Sequence, residues 1–155
     1  MVIENVYDEN MVLKSVIEVK VKSVEGGILP AYKRGGDVCM DCYARTSVTI
    51  QPGDRCLVPL GFALELPMCC EAVIRPRSGL SANGIDIAIG TIDTNYRGEV
   101  KACVINNSYS DFKISVGDRI CQLAIREAPL IKWDVVEELS ETDRGANGFG
   151  SSGIK

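Results

Sequence analysis

Apolar and polar positions alternate in short runs along most of this chain. Ile17, Val19 and Val21 interleave with Glu18, Lys20 and Lys22, and further runs rich in β-branched residues occupy 46–50, 55–66, 69–75, 85–89, 99–106 and 112–125. Gly, Pro, Asn and Asp bound these runs. A period of two broken by turn residues is the pattern of strands with one face on a core, and many short strands at such spacing predict an all-β sandwich or barrel. Two segments echo each other: Ile50-Gln51-Pro52-Gly53-Asp54-Arg55 and Ile114-Ser115-Val116-Gly117-Asp118-Arg119 each place a turn before a strand. The echo fits two sheets linked by related arcs and equally fits two ordinary Gly-Asp turns. Only Ser78 to Asn83 and Ser140 to Asp143 are candidates for a helical turn. No linker interrupts residues 1–139. The stretch from Arg144 to Gly153 carries glycines at 145, 148, 150 and 153 and cannot pack as core.

At 155 residues the chain suits one domain with a real core. A net charge of −4 argues against a general nucleic-acid binder, which would cluster Lys and Arg, so an anionic ligand must be held by a few local arginines. No apolar stretch approaches the roughly 18 residues of a membrane helix. Met1 to Asn5 show no basic flank before an apolar run, so no secretory leader is expected. The seven cysteines are then expected to be reduced, in a soluble intracellular protein of cytoplasm or nucleus. Cys39-Met40-Asp41-Cys42 has C-x-x-C spacing, but the chain has no histidine and no second such pair. A four-cysteine zinc site would need Cys69 and Cys70, whose adjacency points them to opposite faces of a strand, so buried structural thiols are the favoured reading.

The polar constellations are few. Arg75-Pro76-Arg77-Ser78-Gly79-Leu80 ends a strand where a helical turn opens, and free N–H groups there favour an anion. Arg77 can fork onto phosphate oxygens while Ser78 and the Gly79 amide complete a cradle, although a surface arginine beside a turn is usually just solvated. Ile85 to Glu99 reads as a hairpin whose end presents Asp93 and Tyr96, the first equally an Asx cap and the second equally a core plug. Gln122 follows a turn on a strand. The tail sets one cation, Arg144, one ring, Phe149, and the hydroxyls of Ser151 and Ser152 among glycines. These groups grip a nucleotide when a bound partner orders them, and otherwise fray into solvent.

Taken in order, these segments resemble the five motifs of the trimeric dUTPase family over residues 30–153. The match is specific in Arg77-Ser78-Gly79-Leu80, in Asp93-x-x-Tyr96-Arg97-Gly98, in Gly117-Asp118-Arg119-Ile120-x-Gln122-Leu123 and in Arg144-Gly145-x-x-Gly148-Phe149-Gly150-Ser151-x-Gly153. The first motif departs from the family pattern, with Cys39 where glycine is usual and Cys42 where leucine is usual; Asn95 and Asn147 are milder departures.

The resemblance implies a jelly-roll homotrimer with a flexible Gly/Ser-rich C-terminal arm: a β domain over 1–139 and an arm over 140–155 that closes on the active site. It implies hydrolysis of dUTP to dUMP and pyrophosphate at three sites shared between subunits, which limits uracil incorporation into DNA and supplies dUMP for thymidylate synthesis. By motif, Asp93 would be the general base for a water attacking the α-phosphorus, assistance that typically supplies about 10²–10⁴-fold. Arg77, Ser78, the Gly79 amide and Gln122 would hold the phosphate chain, with Arg144, Gly150, Ser151 and Ser152 closing on its γ end and Asp41 in support. The uracil edge would pair with the backbone of Ile89 and Gly90, Tyr96 would lie under the deoxyribose, and Phe149 would cover the base. Mg²⁺ would be chelated chiefly by the triphosphate rather than by protein ligands. The implied partners are dUTP and two further copies of the chain, with neither nucleic acid nor membrane.

Two rivals share the fold. The dCTP deaminase branch needs a catalytic glutamate ten residues after the motif aspartate, where this chain has Cys103, and a thiol does not replace a carboxylate in shuttling protons. A nucleotide-sensing relative that regulates rather than hydrolyses is opposed by the presence of Asp93 and the full tail.

Overall fold

A computed structural model describes residues 3–7 and 13–148. In chain order the strands are β1 (Ile3–Tyr7), β2 (Leu13–Ile17), β3 (Lys20–Ser23), β4 (Met40–Tyr43), β5 (Val48–Ile50), β6 (Arg55–Pro59), β7 (Phe62–Glu65) and β8 (Cys70–Arg75). One helical turn, α1 (Ser78–Ser81), precedes β9 (Ile85–Ala88), β10 (Gly90–Ile92), β11 (Lys101–Asn106), β12 (Phe112–Ile114) and β13 (Arg119–Glu127). All ladders are antiparallel, in the orders β10-β8-β13-β4, β6-β11-β9, β12-β5, β3-β7 and β1-β2. The all-β expectation holds.

Period-two burial explains how two layers share one core. Along β11, Ala102, Val104 and Asn106 point inward while Lys101, Cys103 and Ile105 do not. Val58, Ala102, Val104, Ile85 and Ile87 from the three-stranded sheet meet Ile74, Ile92, Cys121 and Leu123 from the four-stranded sheet in one buried cluster, with Phe62 and Leu60 fully enclosed. Asn106 is the polar exception. Its amide nitrogen donates to the Ile50 and Ser110 carbonyls, both at 2.8 Å, and its oxygen accepts from the Ser108 amide and hydroxyl, so burial leaves nothing unpaired.

The echoed turns are structurally equivalent. Gly53 and Gly117 both have positive φ, +82° and +86°, and the following Asp54 and Asp118 amides donate to the Gln51 and Ser115 carbonyls. Each turn then exchanges two backbone bonds with one distant residue. Gly53 donates to Asn106, which donates back to Asp54, just as Gly117 donates to Ala44, which donates back to Asp118. Since β5 and β12 also pair with each other, the related-arcs reading is correct.

Three expectations need correction. The Ile17–Lys22 alternation is not one strand: the chain breaks between β2 and β3, and β3 is exposed along its length on the open face of its pair with β7. Ile85 to Glu99 is not a hairpin, because β9 pairs with β11 while β10 pairs with β8, and the chain turns a corner between sheets at Ile89. Residues 140–143 form no helix. Instead a turn follows in which the Gly145 amide donates to the Thr142 carbonyl and hydroxyl. Beyond Glu127 the described chain has no strand, and Leu130, Ile131, Trp133, Val135 and Leu139 stand exposed.

Candidate functional site

The aspartate of the C-x-x-C segment lies at the centre of a cation cluster. Asp41, with 6% of its side chain exposed, pairs with Arg119 Nη1 at 2.9 Å and Arg77 Nε at 3.5 Å, and accepts from Gln122 Nε2 at 3.2 Å. Arg77 Nη1 also donates to the Arg119 carbonyl at 2.8 Å, tying the two arginine-bearing segments together. Burial opposes ionisation of Asp41, but the Gln122 and Arg119 hydrogen bonds and the charges of Arg77 and Arg119 outweigh it and hold the carboxyl below its ordinary value.

A register shift in β13 makes this cluster possible. Arg119 and Gln122 are three residues apart, so in a regular strand they would face opposite sides. The β13–β4 ladder pairs Arg119 with Tyr43 and Cys121 with Cys42, which leaves Ile120 as the extra residue of a bulge. The slip brings Arg119 and Gln122 to the same carboxylate while Ile120 and Cys121 are both buried. Cys42 and Cys121 face each other on the core side, and the hydrogen bond to Cys121, reinforced by burial, pushes the Cys42 thiol far above its ordinary range. That is the structural-thiol reading of the segment. Cys69 departs from expectation in lying off the strand, in a turn with φ +61°, whereas Cys70 begins β8.

At the expected anion cradle the strand ends and the helical turn opens where the sequence places them, with the Arg77 guanidinium engaged by Asp41 and the Arg119 carbonyl. Arg77 caps α1 by accepting from the Leu80 and Ser81 amides, and Asn83 Nδ2 donates to the Gly79 carbonyl at 2.7 Å. Ser78 and Gly79 are exposed at the first turn, where their N–H groups have no intrahelical carbonyl to meet.

A cavity of about 260 Å³ lies elsewhere, lined by residues that include Ile74, Gly90, Ile92, Asp93, Tyr96 and Glu99. The Tyr96 amide donates to the Asp93 carbonyl, closing a turn, and the Tyr96 hydroxyl donates to the Glu99 carbonyl at 3.0 Å. Gly98 is required there, since a β-carbon would fall 2.6 Å from Tyr96 Cζ. Among the described residues no hydrogen bond or ion pair engages the Asp93 carboxylate, which is exposed. Gly90 lines the cavity; Ile89 does not, and projects outward with 74% exposure.

The structure thus brings Arg77 and Gln122 together through Asp41, and Gly90, Asp93 and Tyr96 together around a cavity, but neither Arg77, Ser78, Gly79 nor Gln122 lines that cavity. Arg144 is exposed and donates to the Asn147 carbonyl within its own turn. Phe149, Gly150, Ser151 and Ser152 lie outside the described residues. Two features escaped sequence reasoning: Arg119 as partner of Asp41, although it sits inside a recognised motif, and a bidentate pair between Arg45 and Glu99.

Comparison with known proteins gives the fold and the family. Solved structures supply the fold: a Staphylococcus bacteriophage 80alpha dUTPase with dUPNHPP superposes with a TM-score of 0.83 at 23% identity, covering 88% of this chain and 99% of that one. A dUTPase mutant from phage phi11 of S. aureus, described for its coordination of a structural Mg(II) ion, gives 0.74 at 21% identity over 78% and 97%. The dUTPase family model matches residues 25–153, and the chain belongs to that family. Its relatives include the deoxyuridine 5'-triphosphate nucleotidohydrolases of Orientia tsutsugamushi (strain Boryong), 43% identical over 90% of this chain and 100% of the relative, and of Rickettsia bellii (strain OSU 85-389), 45% identical over 90% and 98%.

Proposed function

We propose that this protein hydrolyses dUTP to dUMP and pyrophosphate. The observation that carries the reading is the division of labour just described: an exposed aspartate beside a tyrosine-walled cavity, and a separate guanidinium-anchored cradle, in a chain of the dUTPase family. A triphosphate needs both halves. Among the described residues the cavity holds the free acid Asp93 beside a single lysine, Lys101, and the cradle holds two arginines and free N–H groups that attract phosphate. Assembly as a homotrimer, with the cradle of one chain facing the cavity of another, joins them. The exposed Leu130, Ile131, Trp133, Val135 and Leu139 support the same assembly, since so many large apolar side chains exposed along one short segment suit burial against a partner.

In this site Asp93 orients a water and takes its proton as the water attacks the α-phosphorus in line with departing pyrophosphate. Arg77, Ser78, the Gly79 amide and Gln122 neutralise and align the phosphate chain, and Asp41 fixes two of them by holding Arg77 and Gln122. Residues 140–155 form an arm that brings Arg144, Phe149, Gly150, Ser151 and Ser152 over the bound nucleotide. Ile89 and Gly90 read the uracil edge through their backbone, and Tyr96 excludes a 2′-hydroxyl. Mg²⁺ fits as the counter-ion of the substrate, because triphosphate oxygens suit this cation. When bound it neutralises the triphosphate. The test is pyrophosphate release from dUTP, dCTP, dTTP and UTP with and without Mg²⁺. Efficient Mg²⁺-dependent turnover of dUTP alone is expected, and comparable kcat/KM for UTP or dCTP overturns this reading of the pocket.

A further inference from the structure

Directly after the Asp93-x-x-Tyr96-Arg97-Gly98 motif stands Glu99, a group that none of the roles above uses. Glu99 lines the cavity, and its carboxylate accepts from three donors that do not: Arg45 Nε at 2.7 Å, Arg45 Nη2 at 2.9 Å and the Gly61 amide at 2.9 Å. These donors, the Arg45 hydrogen bond foremost, hold the carboxyl below its ordinary value. Each partner is itself fixed. The Arg45 amide donates to the Pro59 carbonyl, and Gly61, at φ +79°, packs so tightly on Gly27 that a β-carbon on either would overlap the other. The backbone carbonyl of Glu99 is the acceptor for the Tyr96 hydroxyl. A chain of rigid contacts therefore runs from the β4–β5 loop through the Glu99 side chain to its carbonyl, and from there to the Tyr96 ring and the Asp93–Tyr96 turn.

We propose that Glu99, clamped by Arg45, is the positioning residue that sets the Tyr96 ring against the sugar and so controls discrimination between deoxyribose and ribose. This rests on the dUTP-hydrolase reading. A guanidinium fork fixes a carboxylate in two directions, which a lysine ammonium does not. Loosening it lets the Glu99 carbonyl drift and the tyrosine wall retreat from the space a 2′-hydroxyl would occupy.

The experiment compares kcat/KM for dUTP and UTP in the wild type, Glu99→Gln and Arg45→Lys. Each variant is expected to lose about tenfold on dUTP while UTP stays within about twofold, short of the roughly hundredfold that a displacement of about 1 Å can cost. Selectivity then narrows about tenfold. Equal losses on both substrates, with the ratio unchanged, mean that the pair only holds the fold together, and overturn the proposal; so does failure of both variants to fold. Should one variant not fold, the other decides. A second readout is independent of activity: the ¹³Cζ resonance of labelled Tyr96, which is expected to shift in both variants. A wild type without dUTP turnover sinks the hydrolase reading alone, whereas an unmoved Tyr96 resonance sinks the clamp alone.

Discussion

Two carboxylates in this chain have opposite surroundings. Asp41 is buried and holds two guanidinium groups and an amide; Asp93 is exposed and held by no side chain among the described residues. A carboxylate with three donors is spent as a base, since its lone pairs are occupied and its proton affinity is depressed. A carboxylate at the mouth of a cavity can still accept a proton from water. In the proposed function this difference separates the group that would build a phosphate site from the group that would work on what the site holds. Under the proposed shared site the same difference has a use: the anchor is dry and rigid, while the proposed base stays open to a nucleotide that another subunit would help to bring.

The largest expected effect separates the arm from both. Deleting residues 144–155 should abolish dUTP turnover and leave the melting temperature unchanged, because the described part of that segment contributes no buried side chain. A large loss of stability would make the tail part of the fold. Co-refolding the deletion variant with Asp93→Asn should restore activity to roughly a quarter of the sites, the fraction of random pairings in a cyclic trimer that join an intact base to an intact arm. Activity at background after verified mixing would show that each site is built within one chain.

Asp93→Asn comes next. It keeps the shape of the turn and removes the base, so kcat should fall by about 10²-fold or more with substrate affinity retained. Surviving kcat with raised KM would make Asp93 a positioning residue, and the contrast with Asp41 would lose its chemical meaning.

The sequence displays these two acids unequally. Asp93, Tyr96 and Gly98 lie close together in the chain and make their turn locally, so the pattern of residues nearly suffices; the error concerned the elements around them, where one apolar run serves two sheets. The turn echo was legible for the same reason, since Gly53 and Gly117 need positive φ wherever they sit. The Asp41 cluster was not legible. It depends on a bulge at Ile120 that turns Arg119 and Gln122 to one side, and no alternation in Arg119-Ile120-Cys121-Gln122 announces a one-residue slip. Arg45 and Glu99 meet across 54 positions of chain, and Asn106 reaches Ile50 across 56, distances over which local pattern carries no information.

Asp41→Asn should therefore act on stability before chemistry. Removing the charge leaves Arg77 and Arg119 beside each other without a counter-ion, a loss of about 2 kcal/mol once their partial exposure is allowed for. The expected shift is about 5 °C in melting temperature, together with a rise in KM for dUTP larger than any fall in kcat, because the arginine and the amide proposed to hold phosphate are released. A kcat loss as deep as that of Asp93→Asn, with KM unchanged, would break the division between anchor and base.

The smallest effect is the pH dependence of that same contribution. The folded Asp41 carboxyl ionises below its ordinary value of 3.8, so between the two values the unfolded chain binds more protons than the folded one, and stability rises with pH. The stabilisation is complete above the ordinary value and disappears as the pH falls through the lower, folded one. Glu99 shifts in the same direction from 4.5, held chiefly by Arg45, and adds to the same acid limb. Melting temperatures measured from pH 7 down to pH 3 should show the gap between wild type and Asp41→Asn constant at the neutral end and closing only toward the acid end. Glu99→Gln should blunt the limb from slightly higher pH while leaving the Asp41 portion in place. A gap that is unchanged down to pH 3 would still place Asp41 in its cluster, with a folded value lower still; a gap that closes above pH 5 would mean that burial outweighs the arginines, and that Asp41 is no longer held ionised by its cluster.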